Sequence, residues 1–324
     1  MQGLTTLLIL LATSATTVSA HGFVHKVWIG SKTFLGNTPN AEPTGSIVRQ
    51  INSVDPVKGA LNPFVNCGND AQLAEDIADA NPGDHMAFLW TGGDLSRWPH
   101  NTGPMLTYMA SCGATDCTTF NSSNAKWFKI AQDGRDSQGN WLQNRIFLQD
   151  NIAANVTLPS NIAPGAYIIR HEIIALHLAT SLGGAEFYPS CSQIRVGGTG
   201  TGKPTSDELV SLPGAYSDKD PGILVPNVFD TPAPPYTFPG PPIAAFVSGS
   251  GSTPSSHASA PGSSPTSSPS SSGSSSTKGK SCKLKRASTT APASKRAVEV
   301  KRPRHISRVM RDLHVAVGTL SGRH

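Results

Sequence analysis

The chain is poor in charge and in aromatic rings: Asp, Glu, Lys and Arg make up 15% of its 324 residues, and Phe, Trp and Tyr 6%. No long stretch repeats apolar residues with a helical period, which excludes a helical bundle or a coiled coil. Beyond the first twenty residues no apolar run is long enough to span a bilayer, so no membrane partner is expected. From Gly249 to Ser276 almost everything is Ser, Gly, Pro, Thr or Ala, a composition that cannot offset the entropy of ordering. The remainder, from Lys278 on, has no Trp, Tyr or Phe and a single cysteine, Cys282.

What is present begins with a secretory pattern. The apolar run Leu7 to Ala12 leads to Val18-Ser19-Ala20, the small-residue form that a signal peptidase cuts, although no Lys or Arg precedes the run. Residues 1–20 are therefore expected to be removed and the mature chain to begin at His21. A histidine at a free N-terminus offers a ring nitrogen and a primary amine, with an ordinary amine pKa near about 8 that a metal lowers readily.

Charge is unevenly placed. Of 26 Lys+Arg and 21 Asp+Glu, the segment 278–324 holds 13 and two, leaving it at +11 and residues 1–277 at −6. The basic charge thus lies outside the expected folded part, and nucleic acid is not an expected partner. The organisation predicted is one folded domain at 21–247, a linker at 248–277 and a disordered basic tail at 278–324. Four of the five cysteines lie in the core and suit an oxidising compartment. They allow three pairings; Cys112–Cys117 would staple a local loop and leave Cys67–Cys191 as a long-range bridge. The sequons at Asn121 and Asn155 agree with secretion, as glycosylated positions.

Short apolar or alternating runs between Gly, Pro, Asn and Asp clusters predict an all-β sandwich. The strands expected are 22–29, 47–51, 85–90, 105–109, 127–130, 153–158, 166–178 and 192–196, with Glu186-Phe187-Tyr188 leading into the last. Ser31 to Ser46 and Thr199 to Pro242 are expected as long loops, which commonly carry function. His171-Glu172 with His177 fails as a zinc-protease helix, because that motif needs histidines four apart. On one continuous strand His171 and His177 would share a face, as would Glu186 and Tyr188. His100 sits in a loop bounded by Pro99, Gly103 and Pro104.

Together these stretches are specific: His21-Gly22-Phe23-Val24 after the cleavage site, His100-Asn101-Thr102-Gly103-Pro104 leading into Leu106 to Cys112, Arg170 to His177, Gly183 to Cys191, Asp220 to Leu224 and Pro239 to Pro242. They resemble the fungal lytic polysaccharide monooxygenases of auxiliary-activity family nine over residues 21 to about 247. The resemblance implies an immunoglobulin/fibronectin-like sandwich with one copper ion per chain on a flat face. The amine and a ring nitrogen of His21 and a ring nitrogen of His100 would hold it, with Tyr188 near an axial position. Three coplanar nitrogens suit Cu(II). His177 would position the oxygen species and Tyr236 would stack on sugar. The partners implied are cellulose or another β-glucan surface and an external electron donor, with the protein a secreted monomer.

Two departures from the family pattern stand out. Glu186 replaces the usual glutamine, and the spacer between His100 and Gly103-Pro104 is one residue longer than in many relatives. A protonated Glu186 that donates like the amide it replaces is expected. Hydrolysis is disfavoured, since no second carboxylate can be named to pair with Glu186. The rival readings are a non-catalytic copper-binding protein and a plain polysaccharide-binding module.

Overall fold

A computed structural model describes residues 20–114, 116–149 and 152–248. Apart from Ala20, the signal segment lies outside the described residues, as do the linker beyond Ser248 and the whole basic tail with Cys282. Among the described residues nine strands form two sheets. The first, in the order β2-β1-β4-β7, is antiparallel and joins β1 (Gly22–Ile29), β2 (Lys32–Leu35), β4 (His85–Gly92) and β7 (Ala154–Thr157). The second runs β3-β9-β8-β5-β6, from β3 (Ala78–Ala80), β5 (Met105–Ser111), β6 (Phe128–Asp133), β8 (Gly165–Ala175) and β9 (Glu186–Val196). Only β3 is parallel to its neighbour, β9.

The strand period of two explains both layers of core. Val27, Phe88, Trp90, Ile169, Ile173, Tyr188 and Ile194 meet between the sheets. The opposite face of the second sheet, with Leu106, Tyr108, Ile168, Ile174 and Phe187, is covered by long loops contributing Val57, Val65, Trp127 and Tyr216. With both faces of the second sheet covered, β8 and β9 are buried almost throughout, which is why they read as apolar runs rather than strict alternation. Arg170 and Glu172, on the loop-covered face of β8, pair with each other there, and Tyr216 donates to Glu172 at 2.8 Å. Arg170 also donates to the carbonyls of Val65 and Asn66, so the buried charges anchor the loop beside Cys67.

Both expected disulfides are present, Cys67–Cys191 and Cys112–Cys117. Asn121 and Asn155 are exposed. Several expected elements differ. Residues 47–51 form no strand; Val48 makes an isolated bridge to Ser192 on the edge of β9. Lys32–Leu35, read as loop, is a strand, and α1 (Gln143–Leu148) is a helix too short to give a period. β8 ends at Ala175, so His171 and His177 do not share a strand face. His171 lies between the sheets, stacked on Phe88 with ring centres 4.4 Å apart and accepting the Trp90 indole N–H at 3.1 Å. No helix among the described residues is long and apolar enough to cross a membrane.

Candidate metal centre

Five of the expected site residues, His21, His100, His177, Glu186 and Tyr188, converge at the ends of β1, β5, β8 and β9. His21 immediately precedes β1, and its carbonyl accepts the Gly93 N–H at 2.9 Å, just past β4. His100 comes from the loop before β5. That loop is docked on β8 by the bonds Leu176 N to Thr102 O and Ile174 N to Pro104 O. At Gly103 a Cβ would collide with the Ile174 carbonyl, and the backbone is left-handed, so glycine is required for the approach. His177 follows β8 in a turn closed by Gly184, where a Cβ would strike the Leu178 carbonyl.

The His100 ring is held on three sides. Trp98 packs edge-on to it at 5.3 Å and edge-on to Tyr188 at 5.0 Å. His177 stacks over its face at 4.6 Å, with planes 17° apart. Tyr188 places its hydroxyl 3.0 Å from His100 Nε2 and donates to Glu186 Oε2, also at 3.0 Å. Glu186 and Tyr188 thus share a face of β9 as expected, and Phe187 turns to the loops.

Glu186 is the charge centre of the site. Its side chain is 6% exposed; Lys58 Nζ lies 3.2 Å from Oε1, and the Nε2 atoms of His100 and His177 each lie 3.7 Å from Oε2. Burial works against the charge, but Lys58, the Tyr188 hydroxyl and His177 together hold the carboxyl below its ordinary pKa. These contacts present Glu186 as an acceptor from Tyr188 and a partner of the Lys58 ammonium, an arrangement that favours the carboxylate over the expected protonated donor. Burial, followed by Glu186, pushes the Tyr188 phenol far above its usual range, so it stays neutral. Burial and then His177 push His100 down to about 4, against the opposing pull of Glu186. A neutral imidazole is the form that binds metal.

The spacing of the rings fits a copper ion. The His21 and His100 ring centres stand 6.3 Å apart, and Tyr188 is 6.3 Å from the first and 5.4 Å from the second. Two imidazoles on opposite sides of one ion, each bonded at about 2 Å, have centres about 6 Å apart, so the pair fits. The His21 Nδ1 contact with Asp55 Oδ1, at 3.2 Å, involves a side chain 71% exposed that yields readily to a stronger ligand. His100, His177 and Glu186 also lie close enough to suggest a metal triad. Imidazole lone pairs lie in the ring plane, however, and the stacked rings of His100 and His177 send theirs side by side, so they do not converge on one ion. The nitrogen donors that fit are those of His21 and His100.

Tyr236 is not brought to this cluster. Its ring packs edge-on against Trp141 at 4.9 Å and Phe238 at 5.2 Å, and its hydroxyl donates to the Gly222 carbonyl. Phe229, on the same long loop, is 62% exposed. Residues that sequence reasoning overlooked are Lys58, Asp55 and Gln143. Gln143 ties Trp98 to the His100 loop by accepting the indole N–H at 3.3 Å and donating to the Gly103 carbonyl at 3.2 Å. Of these contacts only Trp98 left a sequence signal, by preceding Pro99-His100.

The family model of Auxiliary Activity family 9, formerly GH61, matches residues 21–236, its first matched residue being His21. The AA9 family lytic polysaccharide monooxygenase D of Gloeophyllum trabeum is 50% identical over 319 residues, covering 91% of each chain. Among solved structures, the extended catalytic domain of H. jecorina LPMO9A is 31% identical with a TM-score of 0.64, over 73% of this chain and 96% of that one. A cellulose-active polysaccharide monooxygenase from M. thermophila is 32% identical with a TM-score of 0.61, over 69% and 98%. The chain therefore belongs to Auxiliary Activity family 9, the copper-dependent lytic polysaccharide monooxygenases that cleave polysaccharides oxidatively.

Proposed function

We propose that the mature chain begins at His21, that the His21 amine and ring and the His100 ring hold one copper ion, and that the enzyme attacks cellulose or a related β-glucan. The observation that carries this reading is the 6.3 Å separation of the His21 and His100 rings beside Tyr188. The start of the family match at His21 supports the processed N-terminus. When bound, copper supplies the one-electron couple through which an external reductant and oxygen or hydrogen peroxide insert an oxygen atom beside the glycosidic bond.

The protein's own part is orientation and proton control. The Tyr188 hydroxyl donates its hydrogen bond to Glu186, which turns an oxygen lone pair toward the His100 side. Trp98 and Tyr188 wall the inner side of His100 with apolar ring edges and exclude water there. His177, 31% exposed at its side chain with Nε2 near Glu186, is the group placed to hydrogen-bond an oxygen co-substrate arriving from solvent. Tyr236 keeps its proposed part in sugar binding only indirectly, as support for the loop that exposes Phe229.

The test is mass spectrometry of products from amorphous and crystalline cellulose, with copper and ascorbate. Oxidised oligosaccharides are expected, and their absence with both substrates would refute the reading.

A further inference from the structure

We propose that Lys58 is a positioning residue for the reaction, paired with Glu186 beside a β-bridge so that the carboxylate keeps its place against Tyr188 and the two histidines. The inference rests on the copper reading above and adds a residue to it. The placement comes from the backbone. Val57 bridges Phe187 antiparallel, with Val57 N to Phe187 O at 2.9 Å and Phe187 N to Val57 O at 3.0 Å. In that register the residue after Val57 stands opposite the residue before Phe187, so Lys58 faces Glu186, as opposite charges on paired strands do favourably. The Cys67–Cys191 bridge and the Arg49 N to Cys191 O bond fix the same segment along the β9 edge.

The Lys58 ammonium is itself held in place. It donates to the Gly184 carbonyl at 3.1 Å while reaching Glu186 Oε1 at 3.2 Å. Glu186 is thereby divided: Oε1 belongs to Lys58, and Oε2 accepts from Tyr188 and faces both histidines. An amide at 186 would be neutral and would need no such partner. A carboxylate almost wholly withdrawn from water does need one, because an unpaired charge there would rotate toward solvent or draw the histidines out of place. Lys58, 45% exposed, keeps its own contact with water and so pays little desolvation for the pairing. Its effect on the reaction passes through the direction of the Tyr188 O–H, which follows the carboxylate.

The test is a cycle of Lys58→Met and Glu186→Gln, singly and together, with Lys58→Arg as the conservative variant, all in mature full-length protein. Three quantities are read: thermal unfolding of the metal-free protein, the Cu(II) electron paramagnetic resonance spectrum, and release of oxidised product from cellulose. With Glu186 present, Lys58→Met is expected to lower product release about tenfold or more and to alter the spectrum, as loss of a group orienting a ligand's neighbour does. Lys58→Arg should restore most of both. In the Glu186→Gln background, Lys58→Met should change neither. Equal effects of Lys58→Met in the two backgrounds, or no effect in either, would overturn the inference. Failure of the unaltered protein to take up copper would instead overturn the copper reading, while non-additive unfolding shifts in the metal-free proteins would still support the Lys58–Glu186 pair.

Discussion

The side chain of Gln143, fully buried on a six-residue helix, accepts the indole N–H of Trp98 two residues ahead of His100. The same amide donates to Gly103, so one residue spans the loop that carries His100. Gln143→Met keeps the volume but leaves a buried indole N–H and a carbonyl without partners. A destabilisation of about 2 kcal/mol is expected, with a larger proportional loss of activity than of folded fraction. Thermal unfolding and product release measured on one preparation check this; unchanged activity at lowered stability would show that the loop is held by other means.

The N-terminus gives a second expectation. With Ala20 retained, the His21 nitrogen is an amide without a basic lone pair. Copper should raise the unfolding temperature of protein beginning at His21, by mass action on the folded state, and a chelator should reverse the rise. Protein beginning at Ala20 should show a much smaller shift and little oxidised product. Equal shifts in the two forms would remove the amine from the ligand set.

Burial, with Arg170 second, pushes His171 down to about 3. Below about pH 6.5 the unfolded chain protonates this residue while the folded protein does not, so stability falls with falling pH. At 1.36 kcal/mol per unit, about 3 kcal/mol is lost between pH 6.5 and 4. His100, pushed down to about 4, adds a contribution of the same sign in metal-free protein. Denaturant midpoints at pH 4, 5, 6 and 7 should rise steadily, and His171→Phe should flatten the slope even though it costs stability at pH 7 by stranding the Trp90 N–H.

Ending the chain after Ser248 should leave the fold and copper uptake unchanged. Val247 is buried, and Ala245 N donates to Glu208 at 2.6 Å, so the folded unit needs the chain this far. Ending it before Ile243 should lower the unfolding temperature, because Ala244 and Val247 leave the core between the sheets. A fall in unfolding temperature on removal of 249–324 alone would show that the tail supports the domain.

Most of the fold and the residues that converge on the candidate site were legible along the chain, since both rest on local pattern. Strands β1, β4, β5 and β7 follow from apolar runs between turn residues, and their boundaries fall within two residues of the expectation. His21, His100, Glu186 and Tyr188 were marked by their motifs. The two disulfides followed from the spacing of four cysteines. Only the tertiary structure showed that β8 stops at Ala175 and releases His177 to stack on His100, because a backbone bond pairing Leu176 with Thr102 takes over from the sheet. Only it placed Tyr236 among Trp141 and Phe238. The charge that faces Glu186 was unreadable from sequence because Lys58 lies 128 positions away and is brought opposite by a single β-bridge. Local spacing fixes which face a residue points to; the charge it meets there is fixed by the strand that folds back beside it.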